Sequence, residues 1–300
     1  MARPTSTPRR LILLWTLLAL IAGLVAVIMV AIAGPLYAHD SIRLGTAFGL
    51  LRHGAWVGIA AAAAAILALI ATLVARRLGA VVIAAIALAL GLGAFIWPWT
   101  MLRTAQAAPP IHDVATNPSH PPQFTALAKI RKTTPNGLEY GGGGPKMAQA
   151  EQAQIAHFLQ SAAGQSNPQH TQVAAACTSW GRNCLMVLQR AYYPGVQSLA
   201  APGIAPARTY AAALATVKAM DWKIAAADAA SGHIEATATT GWFRFKDDVV
   251  IEVASDGAGG GSIVNMRSES RLGLSDLGKN AQRVKAYMNR LGKRLSASGK

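Results

Sequence analysis

The chain has 300 residues, of which 28 are Lys or Arg and 13 are Asp or Glu, giving a formal charge of +15. Hydrophobic residues make up 52% and charged residues only 14%, whereas a soluble domain carries about 25% charged residues. This excludes a disordered chain, a coiled coil and a simple cytosolic enzyme, because the missing charge is concentrated in residues 1–103, which hold eight Arg, no Lys and the single acid Asp40.

In chain order, 29 residues without an acid or base separate Arg10 from Asp40, 23 separate Arg52 from Arg76, and 25 separate Arg77 from Arg103. A bilayer core of about 30 Å needs roughly 20 apolar residues as helix, so three spanning helices are predicted. The first run follows a basic start at Arg9-Arg10. A signal peptide has an apolar region of only about 7–15 residues, so an uncleaved anchor is the better reading. With the N-terminus inside, Arg3, Arg9, Arg10, Arg76 and Arg77 face the cytoplasm, and Arg43 and Arg52 face out. Arg and Lys favour cytoplasmic loops, so residues 104–300 are expected on the far side. Trp97 and Trp99 flank Pro98 where an aromatic belt would sit. No acid or base falls in mid-span, which argues against a transporter. Gly54-x-x-x-Gly58, Ala60 to Ala65, Gly91 and Gly93 allow close helix approach. Packing inside the three-helix bundle explains them better than an oligomer contact does.

Residues 104–146 read as irregular, broken by Pro109-Pro110, Pro118, Pro121-Pro122 and Pro135. The run Gly141 to Gly144 is followed by Pro145-Lys146-Met147. It therefore lacks the Gly-Lys-Ser/Thr of a phosphate loop and reads as a flexible connector. Met147 to Leu159 has helical propensity. Cys177 and Cys184 are the only cysteines. Seven residues of helix rise about 10.5 Å, beyond the ~7 Å Cα limit of a disulfide, so a bridge needs a turn at Ser179 to Asn183. An even cysteine count outside the cytoplasm favours the bridge. Two free buried thiols, or a zinc site with His157 and His170, remain open; the metal spacing matches no standard pattern.

The second half is more regular. A helix is predicted from Ala207 to Met220, with Tyr210, Leu214 and Val217 on its apolar face. Extended segments follow at Trp222 to Asp228, His233 to Thr240, Asp247 to Ala254 and Ser262 to Ser268. A final helix carries Leu277, Ala281, Val284, Met288, Leu291 and Leu295 as one stripe. Ser275 is its expected cap, with Asp276 at the positive helix end. The expected fold class is α+β: three N-terminal transmembrane helices (1–103) and a soluble domain (104–300) with a four-stranded antiparallel sheet covered on one face by helices.

His112-Asp113, Tyr193-Pro194, Gly232-x-Ile234-Glu235-Ala236-Thr237, Asp247-Asp248-Val249-Val250 and Arg267-Ser268-x-Ser270-Arg271-x-Gly273-x-Ser275-Asp276-x-Gly278-x-Asn280-x-x-Arg283 occur in that order. Together they resemble the domain of unknown function 1499 family. The resemblance covers residues 109–140 and 190–295, with 190–295 as the core and 147–186 as an insertion particular to this chain. It implies N-terminal membrane helices, as in membrane-anchored bacterial members, and no established activity.

The polar candidates are Glu235, Asp247, Asp248, Arg267, Ser268, Ser270, Arg271, Asp276, Asn280 and Arg283, with His112-Asp113 beside them. The first reading is a structural network in which Arg267 and Arg271 pair with Asp247, Asp248 or Asp276 and pin the sheet to the last helix. The second is an anion or lipid-headgroup site, with Arg267, Arg271 and Arg283 at the start of that helix. The third is catalysis with His112 or His233, which no nucleophile, metal or paired-acid motif supports. The expected role is an extracytoplasmic binding or envelope-associated module of a bacterial inner membrane, with a cytoplasmic N-terminus and a periplasmic domain. Its partners are the bilayer and lipid headgroups, an anionic ligand, or another envelope protein. No cofactor, metal or nucleic acid is expected. The alternative is a membrane-tethered hydrolase.

Overall fold

The computed structural model describes residues 6–142, 145–257 and 259–298. Arg3 and the Gly143-Gly144 part of the glycine run lie outside them, as do the side chains of Arg9, Lys146 and Met147. The chain divides into two compact units: residues 1–104 with Trp242–Arg244, and residues 105–241 with 245–300.

The first unit holds α1 (Ser6–Ala38), α2 (Leu44–Val74) and α3 (Leu78–Ala107). All three are long and apolar enough to cross a membrane. Their burial runs opposite to that of a water-soluble bundle. On α2 the buried residues are mainly Ala and Gly, while Trp56, Leu67, Ile70 and Leu73 point outward. Such a surface suits lipid and is a liability in water. The two glycines of the Gly54-x-x-x-Gly58 pair serve different neighbours. A Cβ on Gly54 would meet Val30 and the Ala26 carbonyl, whereas one on Gly58 would stand 2.7 Å from the Gly91 carbonyl. Both are consumed within the bundle.

The second unit contains β1 (Asp113–Ala115), α4 (Ala128–Arg131), α5 (Pro145–Gln160), α6 (Ala162–Gln165), α7 (His170–Ala176), α8 (Arg182–Tyr192), β2 (Leu199–Ala201), α9 (Pro206–Ala219), β3 (Lys223–Asp228), β4 (His233–Thr239), β5 (Lys246–Ser255), β6 (Ser262–Ser270) and α10 (Lys279–Ser298). Its antiparallel sheet runs β1-β6-β5-β4-β3, with β2 also paired to β6. The sheet therefore has six strands rather than the four expected. The two missed strands are three residues each, too short to show a period-2 pattern, and both exist by pairing with β6. Gly232 turns the chain into β4 with φ +70°, and a Cβ there would lie 2.1 Å from the Val253 carbonyl. Only glycine fits that position.

Strand register decides which side chains share a face. Ile234, Ile251 and Met266 form one cross-strand row and Ala236, Val249 and Ser268 the next. This face packs in the main core with Val217 of α9 and Val284, Tyr287 and Leu291 of α10. The opposite face carries Glu235, Val250 and Arg267, then Thr237, Asp248 and Glu269. It is not open to solvent. Val250 packs with Phe124, Leu127 and Leu138, so the proline-broken stretch forms the second covering layer. The stretch is irregular beyond the end of α3, apart from the short β1 and α4, yet it belongs to the core: Ile111, His112, Asp113, Val114 and Ala115 are all buried.

Segment α5 to α8 joins the same core through Ile155, Phe158, Val173, Leu185 and Leu188. Cys177 follows α7, Cys184 lies in the first turn of α8, and the two form a disulfide with Cα atoms 4.5 Å apart. The zinc alternative with His157 and His170 loses its thiolates to this bond. Closing so short a loop stabilises by about 2.5 kcal/mol in the chain-entropy account. A Cys177→Ser/Cys184→Ser variant should therefore unfold in urea at a midpoint lower by about 1 M or more, given a slope of about 1–3 kcal/mol/M. Near-ultraviolet circular dichroism of the full chain in detergent micelles would read the transition; an unmoved midpoint contradicts the expectation.

Candidate functional site

The ten polar candidates do not form one site. Adjacent residues of a strand point to opposite faces, so Asp247 and Asp248 part company, as do Arg267 and Ser268.

On the helix-covered face, Asp247 pairs with Arg283 of α10 at 2.5 Å. Ser268 donates to Asn280 Oδ1 at 2.7 Å. Asn280 donates through Nδ2 to the His112 carbonyl at 2.8 Å and to Ser270 at 3.0 Å. Arg283 also donates to Ser268 and to Asn280 Oδ1. The α10 start is capped chiefly by Asp276, which accepts the N–H groups of Gly278 and Asn280 at 2.8 and 2.6 Å. Ser275, the expected cap, makes only a 3.3 Å bond with the Leu277 N–H. Leu277 itself precedes the helix at φ 56°. Burial pushes the Asp276 carboxyl up to about 6, against the pull of its two N–H donors.

On the opposite face, Arg267 is fully buried and grips Asp113 with both arms, Nε to Oδ1 at 3.0 Å and Nη2 to Oδ2 at 2.9 Å. It also reaches Glu269 at 2.8 Å. Arg131, equally buried, pairs with Asp248 at 3.0 Å and Glu269 at 2.5 Å. Arg271 holds Asp248 from the edge, with two bonds of 2.9 Å. Three carboxylates thus meet three guanidiniums. Two of these cations stand over the Phe124 ring, Arg131 at 4.9 Å and Arg267 at 5.1 Å from its centre. Burial raises the Glu269 carboxyl well above its usual range, reinforced by Asp113 and opposed by Arg267 and Arg131. Arg267 therefore does not pair with Asp247, Asp248 or Asp276, and it faces away from α10. Pinning the sheet to that helix falls to Arg283 and Asn280.

Beside this group, Glu235 accepts four hydrogen bonds from one turn: the N–H groups of Thr125, Ala126 and Leu127 at 2.6, 2.9 and 2.8 Å, and the Thr125 hydroxyl at 2.7 Å. His233 Nε2 lies 2.8 Å away. Burial opposes the charge on Glu235, but the His233 and Thr125–Leu127 donors outweigh it and hold the carboxyl at about 2. His112 Nε2 meets Glu151 Oε1 of α5 at 2.6 Å, with both side chains about 1% exposed. Two anion-binding geometries therefore exist, the turn at 125–127 and the α10 start, and the protein's own carboxylates fill both.

Arg131, Glu151, Thr125 and Glu269 were absent from the candidate set. Glu269 was readable, since it stands two residues from Arg267 on the same strand face. The others carry no local signal. Among the described residues no group of three or more His, Cys, Asp or Glu is placed to hold a metal ion.

Most of the residues described above, from Asp113 through Arg283, fall within residues 113–291, which match the family described as Protein of unknown function (DUF1499). No curated protein and no solved structure matches the chain. A match over more than half the chain, spanning both faces of the sheet and the buried pairs between them, settles its kinship: the protein belongs to the DUF1499 family.

Proposed function

We propose that the three helices anchor the DUF1499 domain in a bacterial inner membrane with the N-terminus in the cytoplasm, and that the domain works in the periplasm as a binding module rather than as a hydrolase. The observation that carries this reading is the Cys177–Cys184 disulfide, because such bonds persist in oxidising compartments and are rare in the cytosol. The Arg distribution supports it independently, with Arg10, Arg76 and Arg77 on one side and Arg43 and Arg52 on the other. Binding is favoured over hydrolysis because His112 is sealed against Glu151 and His233 is engaged by Glu235. Neither histidine is left free to shuttle a proton at an open cleft, where a general base must reach its substrate.

Alkaline phosphatase fused after Lys300 tests the compartment, since that reporter is active only after export. High phosphatase activity is expected, together with a dark fluorescent-protein fusion at the same position. A bright fluorescent fusion with an inactive phosphatase overturns the periplasmic assignment.

A further inference from the structure

A cavity of about 460 Å³ opens between the exit of β1 at Thr116–Pro118, the end of α8 at Gln189–Arg190 and the loop 193–198. None of its lining residues is Glu235 or Asp276, although its wall residue Tyr193 reaches the α10 start, and its volume is in the range of small-molecule sites. Its floor is positioned by a buried amide: Gln189 accepts the Ala115 N–H at 2.9 Å and donates to the Ala115 carbonyl at 2.7 Å. Ser198 is held by Asn265 at 2.5 Å. Tyr193 forms a wall, and its buried hydroxyl, which has no hydrogen-bond partner among the described residues, lies against Gly278 at the α10 start, where a Cβ would come within 3.1 Å of it.

The charge balance here differs from that of the rest of the domain. Among the described residues no carboxylate lines the cavity. Arg190 at its rim spends one N–H on the Ser119 hydroxyl at 3.1 Å. Arg182, two turns earlier on α8, donates to the Ser119 carbonyl at 2.5 Å. Lys285 stands behind the loop, where a Cβ on Gly195 would lie 3.2 Å from its Nζ. None of these three cations has an ion-pair partner among the described residues, whereas Arg131, Arg267, Arg271 and Arg283 are all neutralised. Gln197 spends one Nε2–H on the Pro194 carbonyl at 3.0 Å and Gln189 one on the Ala115 carbonyl, so the guanidinium fork of Arg190, with N–H groups to spare, is the feature that suits a phosphate oxyanion.

We infer that this cavity binds a small phosphorylated molecule, with Arg190 on the phosphate and Asn117 and Gln197 on the adjoining polar groups. The inference rests on the reading of the domain as a binding module and names its ligand chemistry. A free phosphate ester and a phospholipid headgroup share that chemistry, and the test separates them.

The full chain in phosphatidylcholine nanodiscs is titrated calorimetrically with glycerol 3-phosphate at constant ionic strength. In parallel, phosphatidylglycerol retained through purification is counted by native mass spectrometry. Arg190→Gln is compared in both assays; Arg190 is exposed, so the thermal midpoint of the free protein should not move. Losing a charge-assisted phosphate contact should weaken binding by at least about tenfold. Saturable binding of the soluble ester that Arg190→Gln abolishes supports a free ligand. Retention of phosphatidylglycerol that Arg190→Gln abolishes, without binding of the soluble ester, supports a headgroup. Absence of both, or indifference of both to Arg190→Gln, overturns the inference. The compartment reporter reads a separate property, so its failure leaves these assays interpretable.

Discussion

Replacing Arg267 by Met should cost the soluble domain about 3–5 kcal/mol, or prevent it from folding, because removing one partner strands buried opposite charges. Asp113 and Glu269 are both fully buried, and without Arg267 only Arg131 remains to face that part of the group. Arg267→Lys should fail nearly as badly, since an ammonium cannot reproduce the two-armed grip on Asp113. Arg271→Met should cost less, about 1–2 kcal/mol, because Arg271 is partly solvated and leaves Asp248 its bond to Arg131. Thermal unfolding of the full chain in micelles, with limited proteolysis to report folding, gives the ranking. Combining Arg267→Met with Asp113→Leu should recover part of the loss, as neighbours in one network are not additive. Equal, small effects for Arg267→Met and Arg271→Met would contradict a structural network and reopen an anion-binding role for Arg267.

This ranking depends on burial that composition does not disclose. The long elements were legible: β3 to β6 and α10 lie within two or three residues of the positions their spacing predicts, and the three apolar helices follow from charge-free runs alone. What escaped was the second layer. The stretch from Pro109 to Leu138 carries prolines and no periodicity, so nothing local says that Phe124 and Leu127 will pack on Val250. The polar candidates were read as one site because they are close in sequence, yet period 2 already requires Asp247 and Asp248 to diverge. Arg131 and Glu151 could not be found this way. Each meets its partner across a long sequence separation, Asp248 for the first and His112 for the second. Such pairings belong to the tertiary fold.

The Glu235→Gln variant should lose about 3 kcal/mol near neutral pH, since an amide meets four donors with a single oxygen and leaves buried N–H groups unpaired. The pH dependence distinguishes this from simple loss of packing. The Glu235 carboxyl is held at about 2, below its ordinary 4.5, so its ionised form is bound more tightly in the folded protein than in the unfolded chain. The stability it provides is fully present above about 4.5 and disappears as pH falls through about 2. His233 works in the opposite sense. Its hydrogen bond to Glu235 raises it above 6.5, so its contribution is present below 6.5 and fades as pH rises through the folded value. The pair should therefore stabilise most between roughly pH 4.5 and 6.5. Unfolding midpoints of the parent and Glu235→Gln should converge as the solution is acidified toward pH 2. His233→Gln should flatten only the alkaline side. A difference between parent and Glu235→Gln that stays constant from pH 7 to pH 2 would show that the turn at 125–127 is held by shape and not by the charge of Glu235, and the self-filled anion position would have to be given up.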